Sequence, residues 1–169
     1  MALQGVEPAV AALRARIAAN LPAHVATINA TVTDGYTIVA PDDQNILDYM
    51  PSVGELVAFP TIGIEHGPGR FEDDTGHSAT GAYDLIVVTF VQHAEPQGLA
   101  RMVRRYQLAV LRTIMADRNL GTGTGVPWGV TLRNMDFGPA LTRRDRTDGP
   151  PDTYMTWSAI AVRVKLDED

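Results

Sequence analysis

Histidine and carboxylate side chains come closest together in the glycine-rich segment 66–82. Two histidines there bracket three carboxylates: His66, Glu72, Asp73, Asp74 and His77. Imidazole and carboxylate together can bind a divalent metal, provided that surrounding groups hold the ligands in place. The segment is charged and lacks a hydrophobic period, which is typical of a long exposed loop without such support. We therefore predict no metal site.

The remaining candidates for catalysis are isolated in the sequence. His93 follows an apolar run and His24 lies near a helix start, and neither has a nearby G-x-S-x-G nucleophile pattern. A triad assembled from distant residues stays open. The run GTGTG at 121–125 follows a predicted helix and has no lysine, so it lacks the form of a phosphate-binding loop. We predict no catalytic or cofactor-binding residues and no enzyme activity.

Composition indicates one domain spanning residues 1–169, with 45% hydrophobic residues for its core. The net charge of −6 argues against a broad nucleic-acid surface, because phosphate contacts need clustered Lys and Arg. Cysteine is absent, which excludes disulfides and thiolate chemistry. No apolar run reaches the length of a membrane span, and the first residues lack a signal-peptide pattern.

The fold is organised around Tyr83–Leu120, where an apolar, β-branched run leads into a long helix. At 100° per residue, one broad side of this helix is predicted to face the core: Leu99, Met102, Val103, Tyr106, Ala109, Val110, Thr113 and Ile114. A basic stripe formed by Arg101, Arg105 and Arg112 lies opposite. A narrow apolar patch formed by Leu108, Leu111 and Met115 lies beside that stripe. We predict either a subunit contact there or cover by another helix of the same chain.

Five segments, one of them the strand that precedes the long helix, carry a recognisable pattern. The first is an N-terminal helix from Val6 to Asn20 with a weaker continuation to Ala30, which Pro22 ends or restarts. The others are strands: Glu55–Glu65, in which Pro60 marks an edge or a break, Tyr83–His93, Val126–Leu141 with a bend near Gly138, and Thr153–Asp167.

This order predicts an α+β fold, with a mostly antiparallel sheet of about four strands and two or three helices packed on one face. Glu55–Glu65 is expected to pair with Tyr83–His93 across the loop. The strand at Tyr83, the helix after it and the strand at Val126 are also compatible with a parallel crossover unit. The sequence leaves both arrangements open.

The order of elements resembles the tail terminator (tail completion) proteins of long-tailed bacteriophages, which lie in the head–tail neck. The best local match is YDLIVVTFVQHAEPQGLARMVRRYQLAVLRTIM. The resemblance implies a subunit that forms a ring, of six copies in this family. Such a ring caps the tail-tube protein, ends tube growth and faces the head–tail connector or stopper protein. DNA passes through it without specific binding, and it reaches the virion by assembly in the bacterial host cytoplasm without contacting a membrane.

Two sets of residues follow from this resemblance as candidate contacts, although the family has no functional residue to carry over. The candidate subunit interface on the long helix comprises Arg101, Arg105, Leu108, Leu111, Arg112 and Met115. The candidate axial docking loops, 66–82 and 142–152, contribute Arg70, Phe71, Asp73, Asp74, Arg143, Arg144 and Arg146.

Two other functions stay open. The first is a different head–tail connector component, a stopper or an adaptor, for which more barrel-like strands and less helix are expected. The second is a small α+β hydrolase or ligand-binding protein. That function requires a closed pocket with converging polar groups of perturbed pKa.

Overall fold

A computed structural model describes residues 6–73, 79–118, 128–138, 141–143 and 153–166. Two helices lie on one face of a six-stranded sheet. The elements are α1 (Glu7–Asn29), β1 (Ile46–Leu47), β2 (Thr61–Asp73), β3 (Ala79–His93), α2 (Pro96–Met115), β4 (Trp128–Phe137), β5 (Leu141–Arg143) and β6 (Thr153–Leu166). One short 3-10 helix, Asp43–Asn45, comes directly before β1, and a second, Val53–Glu55, lies between β1 and β2 in the sequence.

The sheet has the strand order β1-β2-β3-β6-β4, and β5 pairs with the first residues of β6. Every pair is antiparallel except β1 with β2. The predicted α+β class is confirmed, whereas four strands was too few. Strands β3 and β4 both run antiparallel to β6, so they are parallel to each other but separated by it. The crossover through α2 therefore joins parallel strands that are not neighbours.

The main core lies between the two helices and one face of the sheet. Helix α2 buries the predicted side, except that Met102 is only partly buried and Gln107 is buried in addition. Helix α1 contributes a continuous stripe: Ala9, Val10, Leu13, Ile17, Leu21, Val25 and Ile28. The sheet contributes alternate residues of its central strands, including Leu85, Val87, Ile160 and Val162. This alternation is the period of two that half-buried strands require.

Pro22 does not interrupt helix α1, contrary to the prediction. The helix continues to Asn29, and Pro22 lies inside it. A proline in a helix interior costs about 3 kcal/mol. Burial of Leu21, Val25 and Ile28 beyond that point stabilises by about 1.5–3 kcal/mol per side chain, so packing outweighs the local penalty.

The predicted long loop 66–82 is for the most part a β-hairpin. Strand β2 runs to Asp73 and β3 starts at Ala79, which pairs with it. The register shifts between His66 and Gly69. Pro68 lies at this irregularity, where the strand does not need a backbone N–H to donate to its neighbour. Antiparallel pairing satisfies the backbone whatever the side-chain period, and this explains why a glycine-rich, charged segment forms strand.

After β3, one predicted helix end is wrong and one predicted bend is confirmed. Helix α2 ends at Met115 rather than near Leu120, because the chain turns toward the sheet. There the Val130 N–H donates to the Arg118 carbonyl at 2.8 Å. The bend near Gly138 is confirmed, since β4 ends at Phe137.

The other face of the sheet carries no helix in the described part of the chain. A small apolar cluster covers one end of it: Leu56, Val88, Phe90 and Met155. The segment 49–51 crosses closely over β2 at Gly63, where an added Cβ would lie 2.8 Å from Pro51 Cδ. Beyond this cover the face is open.

Replacing Tyr106 with phenylalanine is expected to lower the free energy of unfolding by about 1 kcal/mol at pH 7. Tyr106 is 1% exposed, and its hydroxyl donates to the Val39 carbonyl at 2.8 Å and accepts from the Val39 N–H at 3.0 Å. Because Val39 is exposed, its backbone N–H and carbonyl can form hydrogen bonds with water in the variant, and this offsets part of the lost stability. Urea unfolding of the two proteins measures the difference.

The same pair of proteins has an expected pH dependence. Burial raises the pKa of Tyr106 to about 12, and the Val39 backbone hydrogen bond offsets only part of that rise. A pKa raised in the folded state gives stability that is complete below the unfolded value of 10.0 and is lost as pH rises through the folded value. The wild type should therefore lose stability relative to Tyr106→Phe above pH 10. A constant difference would contradict the burial of this hydroxyl.

Candidate functional site: a sheet groove and a helix surface

An open groove of about 450 Å³ lies on the helix-free face of the sheet. Its lining is mostly apolar: Met50, Ile86, Val88, Phe90, Trp157, Ala159 and Ala161, with Glu65, Asn134 and Asp136. Strand β6 forms the floor, because Ala159 and Ala161 are the smallest of these side chains. We call this feature the sheet groove.

A β-bulge in the edge strand β4 gives the groove its polar side. Before the bulge, Leu132 pairs with Val162 and contacts the main core. After it, Asn134 pairs with Ala161, so that Asn134 and Asp136 join the groove lining. Without the extra residue, Leu132 and Asn134 would share one face of the strand. The bulge therefore turns polar side chains outward where the apolar pattern of β4 changes.

Two carboxylates stand at the groove without a cation. Glu65 and Asp136 are both exposed, and neither has an ion-pair partner among the described residues. In the next row of the sheet, Arg163 donates two hydrogen bonds to Asp84, both at 2.8 Å. These hydrogen bonds raise the pKa of Arg163. The described groove thus has a net negative rim around an apolar floor.

A second exposed surface runs along α2, and at its Arg104 end it borders a shallow pocket shared with Phe137, Gly138 and Thr156. Arg104, Leu108 and Arg112 follow each other at intervals of four residues, so their side chains form one line. Leu108 is 40% exposed. Within the described ranges, neither arginine has a hydrogen bond or ion pair. We call these three residues the helix strip.

The structure divides the predicted subunit interface on α2. Leu108 and Arg112 are exposed as predicted. Leu111 and Met115 are instead partly buried and pack against the main core. Whether another subunit contacts the patch stays a prediction.

Arg101 and Arg105 also have partners within the chain. Both donate to Asp34, at 2.9 and 2.6 Å, and Arg105 donates in addition to the Tyr36 carbonyl. Partial burial raises the pKa of Asp34, but hydrogen bonds from Arg105 and the Tyr36 N–H, with the two positive charges, lower it overall. The Arg101 guanidinium lies 5.3 Å from the Tyr36 ring centre. These arginines hold the segment before β1 onto α2.

The predicted docking-loop residues are only partly described. Arg70, Phe71 and Asp73 lie in β2, and Arg143 lies in β5 paired with Thr153. They therefore belong to strands and not to loops, because neighbouring strands pair with them. Asp74, Arg144 and Arg146 lie outside the described residues.

The three histidines in the described residues lie on different elements. His66 lies exposed on β2, His24 lies in α1, and His77 is outside the described residues. Nδ1 of His93 accepts a hydrogen bond from the Glu95 N–H at 2.9 Å. Among the described residues no group of three His, Asp or Glu side chains is placed to hold a metal ion. No described helix is both long and apolar enough to span a membrane.

Comparisons with known proteins found similar chains among solved structures. No family model matches the chain, and no curated protein matches it. Among solved structures, the chain is similar to one in a structure described as "Virion of native gene transfer agent (GTA) particle". The two are 16% identical, the alignment covers 94% of each chain, and the TM-score is 0.47. A likeness at this level does not establish a shared function.

Proposed function

We propose that this protein is a structural subunit of a phage virion, in the neck, where a ring of six copies caps the tail tube. The ring ends tube polymerisation and joins the tail to the head connector. The proposal begins from the order of elements, which resembles that of the tail terminator proteins. This order is a helix, a strand hairpin, a long arginine-bearing helix and the closing strands. In it, the protein has no enzyme activity and lets DNA pass without specific binding.

One observation carries this proposal: the subunit exposes two unlike surfaces that belong to different layers. The sheet groove lies on the face of the sheet that carries no α-helix in the described structure, and the helix strip lies on α2, which packs on the other face. A ring subunit needs two unlike surfaces, because each copy contacts one neighbour with each. An open apolar groove suits a protein contact better than it suits a small molecule, which is usually enclosed.

A hydrolase or ligand-binding function has less support. Its most plausible acids are Glu65 and Asp136, on β2 and β4 with two strands between them. Three strand spacings separate their backbones by about 14 Å. Pairs of catalytic carboxyl groups in glycosidases stand about 5–10 Å apart. Neither acid meets a histidine or arginine in the described groove lining.

Removal of the gene tests the proposal through particle shape. We expect lysates of the deletion to contain tail tubes of uncontrolled length and heads that remain unattached, both visible by electron microscopy. A stopper or adaptor would instead leave tails of normal length with unattached heads. Particles of normal shape and number would contradict a neck function altogether. Supplying the wild-type gene in trans is the control and should restore tail length.

A further inference from the structure

We propose that the sheet groove receives the helix strip of a second copy of this chain. This inference rests on the proposed ring and assigns its lateral contact to two named surfaces. In this contact, α2 of the neighbouring copy lies in the apolar groove.

The charges of the two surfaces are complementary. Glu65 and Asp136 give the groove two carboxylates without cations in the described structure. Arg104 and Arg112 give the strip two guanidinium groups that have no anionic partner among the described residues, whereas Arg101 and Arg105 both form ion pairs with Asp34. Opposite charges placed across an interface steer association and fix its register.

The spacings of these charges also agree. Glu65 aligns with Ile86, Ala161 and Asn134 across the sheet, and Asp136 lies one row away at Ala159. Three strand spacings and two residues along the strand separate the acids by about 16 Å. Eight helical residues separate Arg104 from Arg112 by about 12 Å, and their long side chains span the remainder.

The apolar parts match in the same arrangement. Leu108 lies midway between the two arginines and is 40% exposed. The midpoint between the two acids lies between β3 and β6, where Ile86 and Val88 stand beside the small side chains of Ala159 and Ala161. With the charges paired, Leu108 is placed over this apolar floor.

The two surfaces belong to opposite layers of the subunit, so this contact is head-to-tail. Every added copy leaves one groove and one strip free for the next. Such contacts close into a ring when the rotation between copies permits it. The inference therefore supplies the asymmetry that the proposed ring requires.

Charge reversal on each surface tests the inference. One variant carries Arg104→Glu with Arg112→Glu, and the other carries Glu65→Arg with Asp136→Arg. Each is expected to weaken self-association about 100-fold or more, measured as mass against concentration by light scattering. The mixture of the two variants should assemble again, because each supplies the surface that complements the other. The control for the second variant is Glu7→Arg with Asp42→Arg, which makes the same charge change at exposed acids outside both surfaces.

The outcomes separate this inference from the proposed function. Variants that assemble like the wild type overturn the assigned contact and leave the ring in place. Two monomeric variants whose mixture stays monomeric also overturn the pairing. A wild type that is monomeric at every concentration overturns self-association through this contact. The tail-length phenotype of the deletion still decides the neck function in that case. Circular dichroism of each variant confirms that it is folded.

Discussion

Gly138→Ala is expected to lower the free energy of unfolding by about 3 kcal/mol, the upper end for overpacking a filled site. An added Cβ would overlap Nε1 and Cε2 of the Trp157 ring. Gly138 cannot easily shift away from Trp157, because two hydrogen bonds hold its backbone. The Gly138 N–H donates to the Trp157 carbonyl at 2.8 Å, and Thr156 Oγ1 donates to the Gly138 carbonyl at 2.9 Å. Trp157 also packs against the second apolar cluster.

The matched control is Gly129→Ala in β4, the strand that Gly138 follows, where no described atom lies within 4 Å of the added Cβ. We expect this change to be neutral or to stabilise by about 0.5 kcal/mol through a less flexible unfolded chain. Urea unfolding gives both values. Equal stabilities for the two variants would show that Trp157 does not lie against Gly138. Because Trp157 lines the sheet groove, Gly138→Ala should also weaken self-association.

Leu111→Glu and Leu108→Glu are expected to differ, although the sequence places both on one patch. Leu111 is partly buried against the main core, so its replacement puts an unpaired carboxylate beside apolar side chains. A loss of about 2–3 kcal/mol in unfolding free energy follows from burying a polar group without a partner. Leu108 is exposed and should change stability by less than about 0.5 kcal/mol.

For self-association we expect the opposite, a larger effect of Leu108→Glu than of Leu111→Glu. Leu108→Glu places a negative charge at the centre of the proposed contact, between two acids of the neighbouring groove. It is expected to remain folded and to become monomeric, while Leu111→Glu loses assembly only in proportion to its loss of folding. Thermal unfolding and light scattering on the same samples separate the two effects. A folded, fully assembled Leu108→Glu variant would be incompatible with the helix strip as an interface.

The sequence predicted those elements whose own side-chain pattern decides their structure. Helix α2 shows a strict 3.6-residue period, and its buried side agrees with the prediction at Val103, Tyr106 and Val110. Strand β6 alternates strictly, and Ile160, Val162 and Val164 are buried as one face. In both cases local preference and burial point the same way.

Elements that depend on a distant partner were predicted poorly. Residues 66–73 have no hydrophobic period and form strand because β3 pairs with them. Helix α1 continues past Pro22 because the sheet and α2 bury its second half. Neither the pairing nor the burial is visible within the segment itself.

The candidate site was only half predictable. Leu108 and Arg112 were identified because a helix wheel shows which side of α2 lies off the core. Glu65 and Asp136 are 71 positions apart in the sequence. They line the same groove only because four strands pair in a particular register. The bulge after Leu132 then decides which way Asp136 faces. An alternation count that allowed for one extra residue in β4 would have placed Asn134 and Asp136 opposite to Leu132.

Electron cryomicroscopy of the virion neck tests the central claim most directly. Virions that contain this protein, imaged with symmetry determined for each layer of the neck, should show one ring of six copies stacked on the last tail-tube ring. In that ring, α2 of each copy should lie in the sheet groove of its neighbour. A single copy in the neck, or density for this chain nowhere between tube and head connector, would contradict the account.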